Sequence, residues 1–149
     1  MPGRWTRVDT PAAALAVRLG VGLVFFLEGI KKFLFPADWG VGRFVKIGIP
    51  APEVMAPFVG TVEVICGALI ILGLLTQLAA IPLLIDITVA IVSTKVPLLL
   101  QKGFWAMEAD ARTDYAMFTG LLFLIFAGGG RWSVDGGRST TRRGASSDA

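Results

Sequence analysis

The chain has 149 residues, of which 54% are hydrophobic and only 17% charged, and its mean hydropathy is +0.71; a soluble domain carries about a quarter charged residues. At about 20 apolar residues per crossing, this length holds roughly four membrane helices with short links and no separate soluble domain. One cysteine, Cys66, excludes an internal disulfide or CxxC pair, and the lack of histidine removes the usual haem ligand and general base, so no metal site is expected from this chain alone.

Cys66 remains a possible thiol for a partner outside the chain. The net charge of +3 and a pI near 9.4 do not point to nucleic acid, because the basic residues flank apolar spans. They read as loop charge facing anionic lipid and cytoplasm.

Residues 1–11, with Arg4 and Arg7, read as a cytoplasmic N-terminal segment. The apolar run that follows is no signal peptide: it is too long, is interrupted by Arg18 and Glu28, and ends in Lys31-Lys32 without a small-residue cleavage site. A first spanning helix is predicted over 12–35, stopped by Pro36. Arg18, Gly22, Phe25, Gly29 and Lys32 form one stripe on it. Glu28 is placed to pair with Lys31 or Lys32, whose own simplest role is to reach the interface from a helix end.

Between Pro36 and Pro57, prolines and glycines break the chain. Trp39, Phe44, Val45 and Ile47, interleaved with Arg43 and Lys46, predict a short helix lying in the interface with Trp39 as headgroup anchor; a cap over the bundle mouth is the sharper but less favoured alternative. The second span, 54–75, carries Glu63 at membrane depth. Gly60 and Gly67 share its side and let another helix approach, and such a carboxyl needs a partner.

A tight turn leads to a third span, 78–100, with Asp86 near its middle and Lys95 toward its end. Asp86, Ala90, Ser93 and Pro97 share one face. Residues 101–114, alternating in charge sign, read as a solvated loop, and a fourth, short span is placed at 113–127. Its aromatic stripe of Tyr115, Phe118, Phe123 and Phe126 serves packing or lipid contact. Gly128-Gly129-Gly130 stops it, Arg131-Trp132 anchors its end, and 131–149 is expected to be a mobile basic tail.

The fold class that follows is all-α: a polytopic four-helix membrane bundle, residues 12–130, with a short interfacial helix between helices one and two. Four spans put both termini on one side, and the positive-inside bias makes that side cytoplasmic. Burying charges singly costs several kcal/mol, so Arg18, Glu28, Lys32, Glu63, Asp86 and Lys95 are expected to pair around a polar intramembrane pocket. The expected pairing is Arg18 with Glu63, with Asp86 or Glu28 as a proton-exchanging carboxyl. No residue is assigned a catalytic role.

The run Arg18-Leu-Gly-Val-Gly-Leu-Val-Phe-Phe-Leu-Glu-Gly-Ile-Lys31-Lys32-Phe resembles the opening helix of the DoxX family. Ile47-Gly-Ile-Pro-Ala-Pro, followed by Val62-Glu63-Val-Ile-Cys-Gly67, resembles the family's Gly-x-Pro loop and Glu-x-x-x-Gly helix, and Gly129-Gly-Arg131-Trp-Ser133-Val-Asp135 its closing signature. The resemblance covers about residues 14–135. By position Arg18, Lys32, Glu63, Arg131, Ser133 and Asp135 match the family's polar signature.

The resemblance implies a four-helix protein of the bacterial plasma membrane. It also implies redox partners, either a thiosulfate:quinone oxidoreductase or a defence complex with a sulfurtransferase and a superoxide dismutase. The function expected is an accessory subunit of an oxidoreductase assembly, with a quinone head-group pocket lined by Arg18, Glu63 and Asp86 and no cofactor held by the chain alone. The alternatives are a small proton-coupled transporter, which a homo-oligomer would suit, and a scaffold without chemistry of its own.

Overall fold

The computed structural model describes residues 10–135. The expected cytoplasmic segment with Arg4 and Arg7, and most of the basic tail with Arg138, Arg142 and Arg143, lie outside the described residues. Five helices follow in order: α1 (Thr10–Leu34), α2 (Val41–Lys46), α3 (Pro52–Leu72), α4 (Thr76–Lys102) and α5 (Phe104–Ala127). No strand occurs among the described residues. By length and composition α1, α3 and α4 are each apolar enough to cross a membrane.

Each break has a local cause. Pro36 follows α1, and Pro52 opens α3 at its first turn, where its missing N–H is not needed. Gly73, at φ 71°, ends α3: its N–H donates to the Ile70 carbonyl at 3.1 Å and that of Leu74 to the Leu69 carbonyl at 2.9 Å. This is the Schellman arrangement that a left-handed glycine permits. Gly103, at φ 83°, is the single residue between α4 and α5.

The stretch 101–114, expected to be a solvated loop, is helical except at Gly103, and α5 begins at Phe104 rather than near 113. The alternating charges are a helix surface. Arg112 lies 3.6 Å from Glu108 one turn earlier, while Asp110 and Asp114 share the face turned to α4.

The four long helices close a ring, α1 on α3, α3 on α4, α4 on α5 and α5 back on α1, with α2 packed on α3. The α1–α3 seam is the closest approach. A Cβ built on Gly29 would stand 2.7 Å from the Gly60 carbonyl oxygen, and one on Gly67 would stand 2.7 Å from the Phe26 amide nitrogen. Only small residues let two backbones meet so closely, which is how membrane helices gain packing where apolar burial offers little. Val21, Phe25, Ile70, Ala79, Ala80, Leu83, Ile87, Leu121 and Leu124 form the buried core. Ile81, Ile85, Val89, Val92 and Val96 on α4 point outward as a lipid-facing surface.

Candidate functional site

The charged residues singled out in the spans fall into separate clusters. Near mid-depth, three helices contribute one group each. Lys32 Nζ of α1 donates to Glu63 Oε2 of α3 at 2.5 Å. Asp86 of α4 faces the Glu63 carboxyl within hydrogen-bonding reach and also lies in the field of Lys32. Glu63 is 4% exposed. Both carboxyls stand about 15 Å along their helices from the α3–α4 turn, at about 1.5 Å per residue, half the thickness of a hydrocarbon core.

The local sequence explains the geometry. Gly29 and Gly60 bring α1 against α3, so that the long Lys32 chain runs along the seam and ends at Glu63. The short Gly73–Leu75 link sets α4 antiparallel beside α3, which puts Asp86 at the same level. Two carboxyls and one ammonium leave a charge deficit that one proton balances, and a hydrogen bond between carboxyls requires a proton on one of them. The arrangement can therefore hold and release a proton.

Arg18 does not pair with Glu63, and it does not line a pocket with Glu63 and Asp86. It lies toward the other end of α1's buried stripe, less than one turn before Val21 of the core, and is 3% exposed. Its Nε donates to the Ile70 carbonyl at 2.9 Å, one Nη to Gly129 at 2.8 Å and Trp132 at 3.2 Å, and the other to Ile71 at 3.1 Å. The expectation from sequence overlooked backbone acceptors: the carbonyl end of α3 offers a planar guanidinium several oxygens and the negative end of a helix dipole.

The closing signature completes this latch. Asp135 accepts from the Leu75 and Thr76 amides at 3.0 and 3.1 Å and so caps α4, and its carboxylate attracts Arg18. Ser133 donates to the Gly130 carbonyl at 2.6 Å. Gly73 fits beneath: a Cβ there would stand 2.7 Å from the Arg18 guanidinium carbon. Arg131 is exposed beside this latch.

Glu28 also stays out of the cluster. It accepts from Lys31 at 2.6 Å on the half-exposed side of α1, and Lys31 Nζ lies 3.8 Å from the ring centre of Trp39, with the Arg43 guanidinium at 5.4 Å. Lys95 forms a further cluster on the face of α4 turned to α5, 2.5 Å from Asp110 and 2.8 Å from Asp114. Those two aspartates were not anticipated. Their i, i+4 spacing, opposite a lysine inside the preceding span, is the signal that would have found them.

Ser93 turns its hydroxyl to the Val89 carbonyl of its own helix at 2.8 Å, so the expected polar face of α4 narrows to Asp86. Cys66 is half-buried one turn from Glu63 and packs against the core.

The DoxX family profile matches residues 13–96. The chain is 49% identical over 140 residues to the uncharacterized membrane protein Rv3486 of Mycobacterium tuberculosis, covering 88% of this chain and 86% of that protein. It is 29% identical over 114 residues to CatD of Bacillus subtilis, provisionally named an oxidoreductase, covering 76% of this chain and 78% of that one. No solved structure matches the chain. A profile that covers more than half the chain, including the glycine seam, Lys32, Glu63 and Asp86, makes this protein a member of the DoxX family of membrane proteins.

Proposed function

We propose that this chain is the integral membrane subunit of an oxidoreductase assembly, and that its own contribution is a proton-exchanging centre made of Lys32, Glu63 and Asp86. The observation that carries this reading is the meeting of two carboxyls and an ammonium, from three different helices, near the middle of the bilayer. A structural ion pair needs one carboxyl; the second is surplus, and an intramembrane acid without a structural task is a functional group by default.

The oxidoreductase name of the Bacillus subtilis relative supports the redox context. With no histidine and one cysteine, this chain supplies few of the usual electron-carrying ligands, so electrons are assigned to a partner or a quinone. Reduction of a quinone takes up two electrons and two protons. A partner of the thiosulfate:quinone oxidoreductase type delivers the electrons from thiosulfate, and the Glu63–Asp86 pair passes protons one at a time; in the defence-complex alternative, with a sulfurtransferase and a superoxide dismutase, the chain is their membrane subunit. The setting assigned is the bacterial plasma membrane, with both termini cytoplasmic.

Mass spectrometry of the proteins and isoprenoid quinones that co-purify with the tagged chain tests the assembly. A stoichiometric redox enzyme or a quinone supports the reading. The chain alone, as a clean oligomer without quinone, overturns it in favour of a proton-coupled carrier.

A further inference from the structure

Buried apolar side chains are distributed unevenly along the bundle axis. Val21 and Phe25 of α1, Ile70 of α3, Ala79, Ala80 and Leu83 of α4, and Leu121 and Leu124 of α5 are all at most 3% exposed. Every one lies between the carboxyl pair and the Arg18 latch. Along α3 that distance, from Glu63 to Ile70, is about 10 Å, and all four long helices fill it. A close-packed apolar layer of that thickness holds no water-sized path. Beyond it, the Arg18 guanidinium and the segment 129–135 close the end of the bundle.

The opposite half is built differently. Toward α2, the buried apolar side chains are fewer, Ala56, Phe44 and Ile87, beside Gly29, Gly40, Gly60 and the paired Lys95, and the long side chain that reaches the pair from there is Lys32, whose backbone belongs to the last turn of α1. The Trp39–Gly40 turn rests on that backbone. A Cβ on Gly40 would stand 2.6 Å from the Lys32 carbonyl oxygen, and Trp39 is tied back by Lys31. The cover over Lys32 is therefore a short turn and six residues of helix, held by a glycine contact and a cation–ring contact, with a thinner set of buried apolar side chains beneath it than on the latch side.

We infer that the Glu63–Asp86 pair exchanges protons with one side of the membrane only, the side covered by α2, along Lys32 and beneath the Trp39–Gly40 turn. This rests on the proton-exchanging reading above and adds its direction. The charged groups around the pair are Lys32 from α1, Glu63 from α3 and Asp86 from α4. Glu28 and Lys31 are paired with each other, Arg43 of α2 is at Trp39, and Asp110 and Asp114 of α5 are engaged by Lys95, so none of them relays to the latch side.

The test uses the full chain in vesicles of known sidedness and a lipid-soluble carbodiimide. The reagent reaches the pair through the hydrocarbon and reacts only with a protonated carboxyl, giving an acylurea or, by attack of the neighbouring Lys32 amine with release of the urea, a Lys32–Glu63 amide. Peptide mass spectrometry reads either product. Making the α2 side alkaline is expected to slow modification severalfold, and the same change on the terminus side to leave the rate unaltered. A rate that follows the pH of the terminus side, or of both sides equally, overturns the one-sided route while leaving the centre standing. No modification of Glu63 or Asp86 at any pH overturns the centre itself, and the route with it.

Discussion

At the residue scale, Arg18 and Lys32 show two ways of keeping a cation inside a bilayer. Arg18 uses backbone carbonyls that α3 and the segment after α5 leave unpaired, so its loss strips a helix end and the closing segment together. Arg18→Ala is expected to lower the unfolding free energy by about 3 kcal/mol or more, since hydrogen bonds to a charged group contribute about 1.5–3 kcal/mol each. Arg18→Lys should fall between, because an ammonium cannot match several coplanar acceptors. Unfolding in detergent measures both; an Arg18→Ala protein as stable as the parent would remove the latch from the account.

The triad behaves differently, because either carboxyl can serve Lys32. Glu63→Leu or Asp86→Leu alone should be tolerated, whereas the double variant leaves a buried ammonium without a counter-charge and should lose about 3–5 kcal/mol. Such non-additivity is the mark of groups in contact. A double mutant whose loss equals the sum of two small losses would mean that Asp86 does not share Lys32.

At the element scale, the α4–α5 pair depends on Lys95. Asp110 lies outside the apolar part of α5, and the Lys95 ammonium, by hydrogen bond and by charge, holds its carboxyl below the ordinary carboxylate range. A depressed folded value means the contact stabilises fully above the ordinary aspartate value, about pH 4, and is lost as pH falls through the lower folded value. Asp110 is 60% exposed, so solvent screening keeps its share to no more than about 1 kcal/mol. The protection of amides 104–114 against hydrogen exchange, taken relative to the base-catalysed intrinsic rate at each pH, should fall in acid, and Asp110→Asn should reduce that acid response; a protection factor indifferent to pH would refute it.

The glycine seam between α1 and α3 was legible in the sequence, because Gly22 and Gly29, like Gly60 and Gly67, recur at near-helical spacing beside charged residues. The seam predicts that Gly67→Val separates the helices, since its side chain would need the space of the Phe26 backbone. Lost tertiary structure with retained helix content is the expected circular dichroism result. The short helix α2 was legible too, from aromatics alternating with basic residues.

What was not legible were the partners, because rotation and relative height of helices are set by packing between elements that lie far apart in the chain. Glu63 was recognised from its depth, but Lys32 reaches it through a seam whose register no single helix encodes. The carbonyl acceptors of Arg18 carry no side-chain signal at all. The first half of α5 was read as loop because its charges mask a helix whose only interruption is Gly103.

At the scale of the whole molecule, the two ends do different work. One is latched by Arg18, Asp135 and the closing segment over a dry apolar core; the other is a light cover above the acid pair. That polarity suits a membrane subunit that takes protons from one side and presents them within the bilayer to a redox partner.

The most direct test of the centre is infrared spectroscopy of the protonated-carboxyl C=O stretch in the purified protein at neutral pH. One protonated carboxyl is expected within the Glu63–Asp86 pair, and its band should vanish in Glu63→Gln and equally in Asp86→Asn, because the remaining carboxyl then ionises against Lys32. A parent protein without that band, or a band that survives both substitutions, would contradict the proton-holding centre on which this account rests.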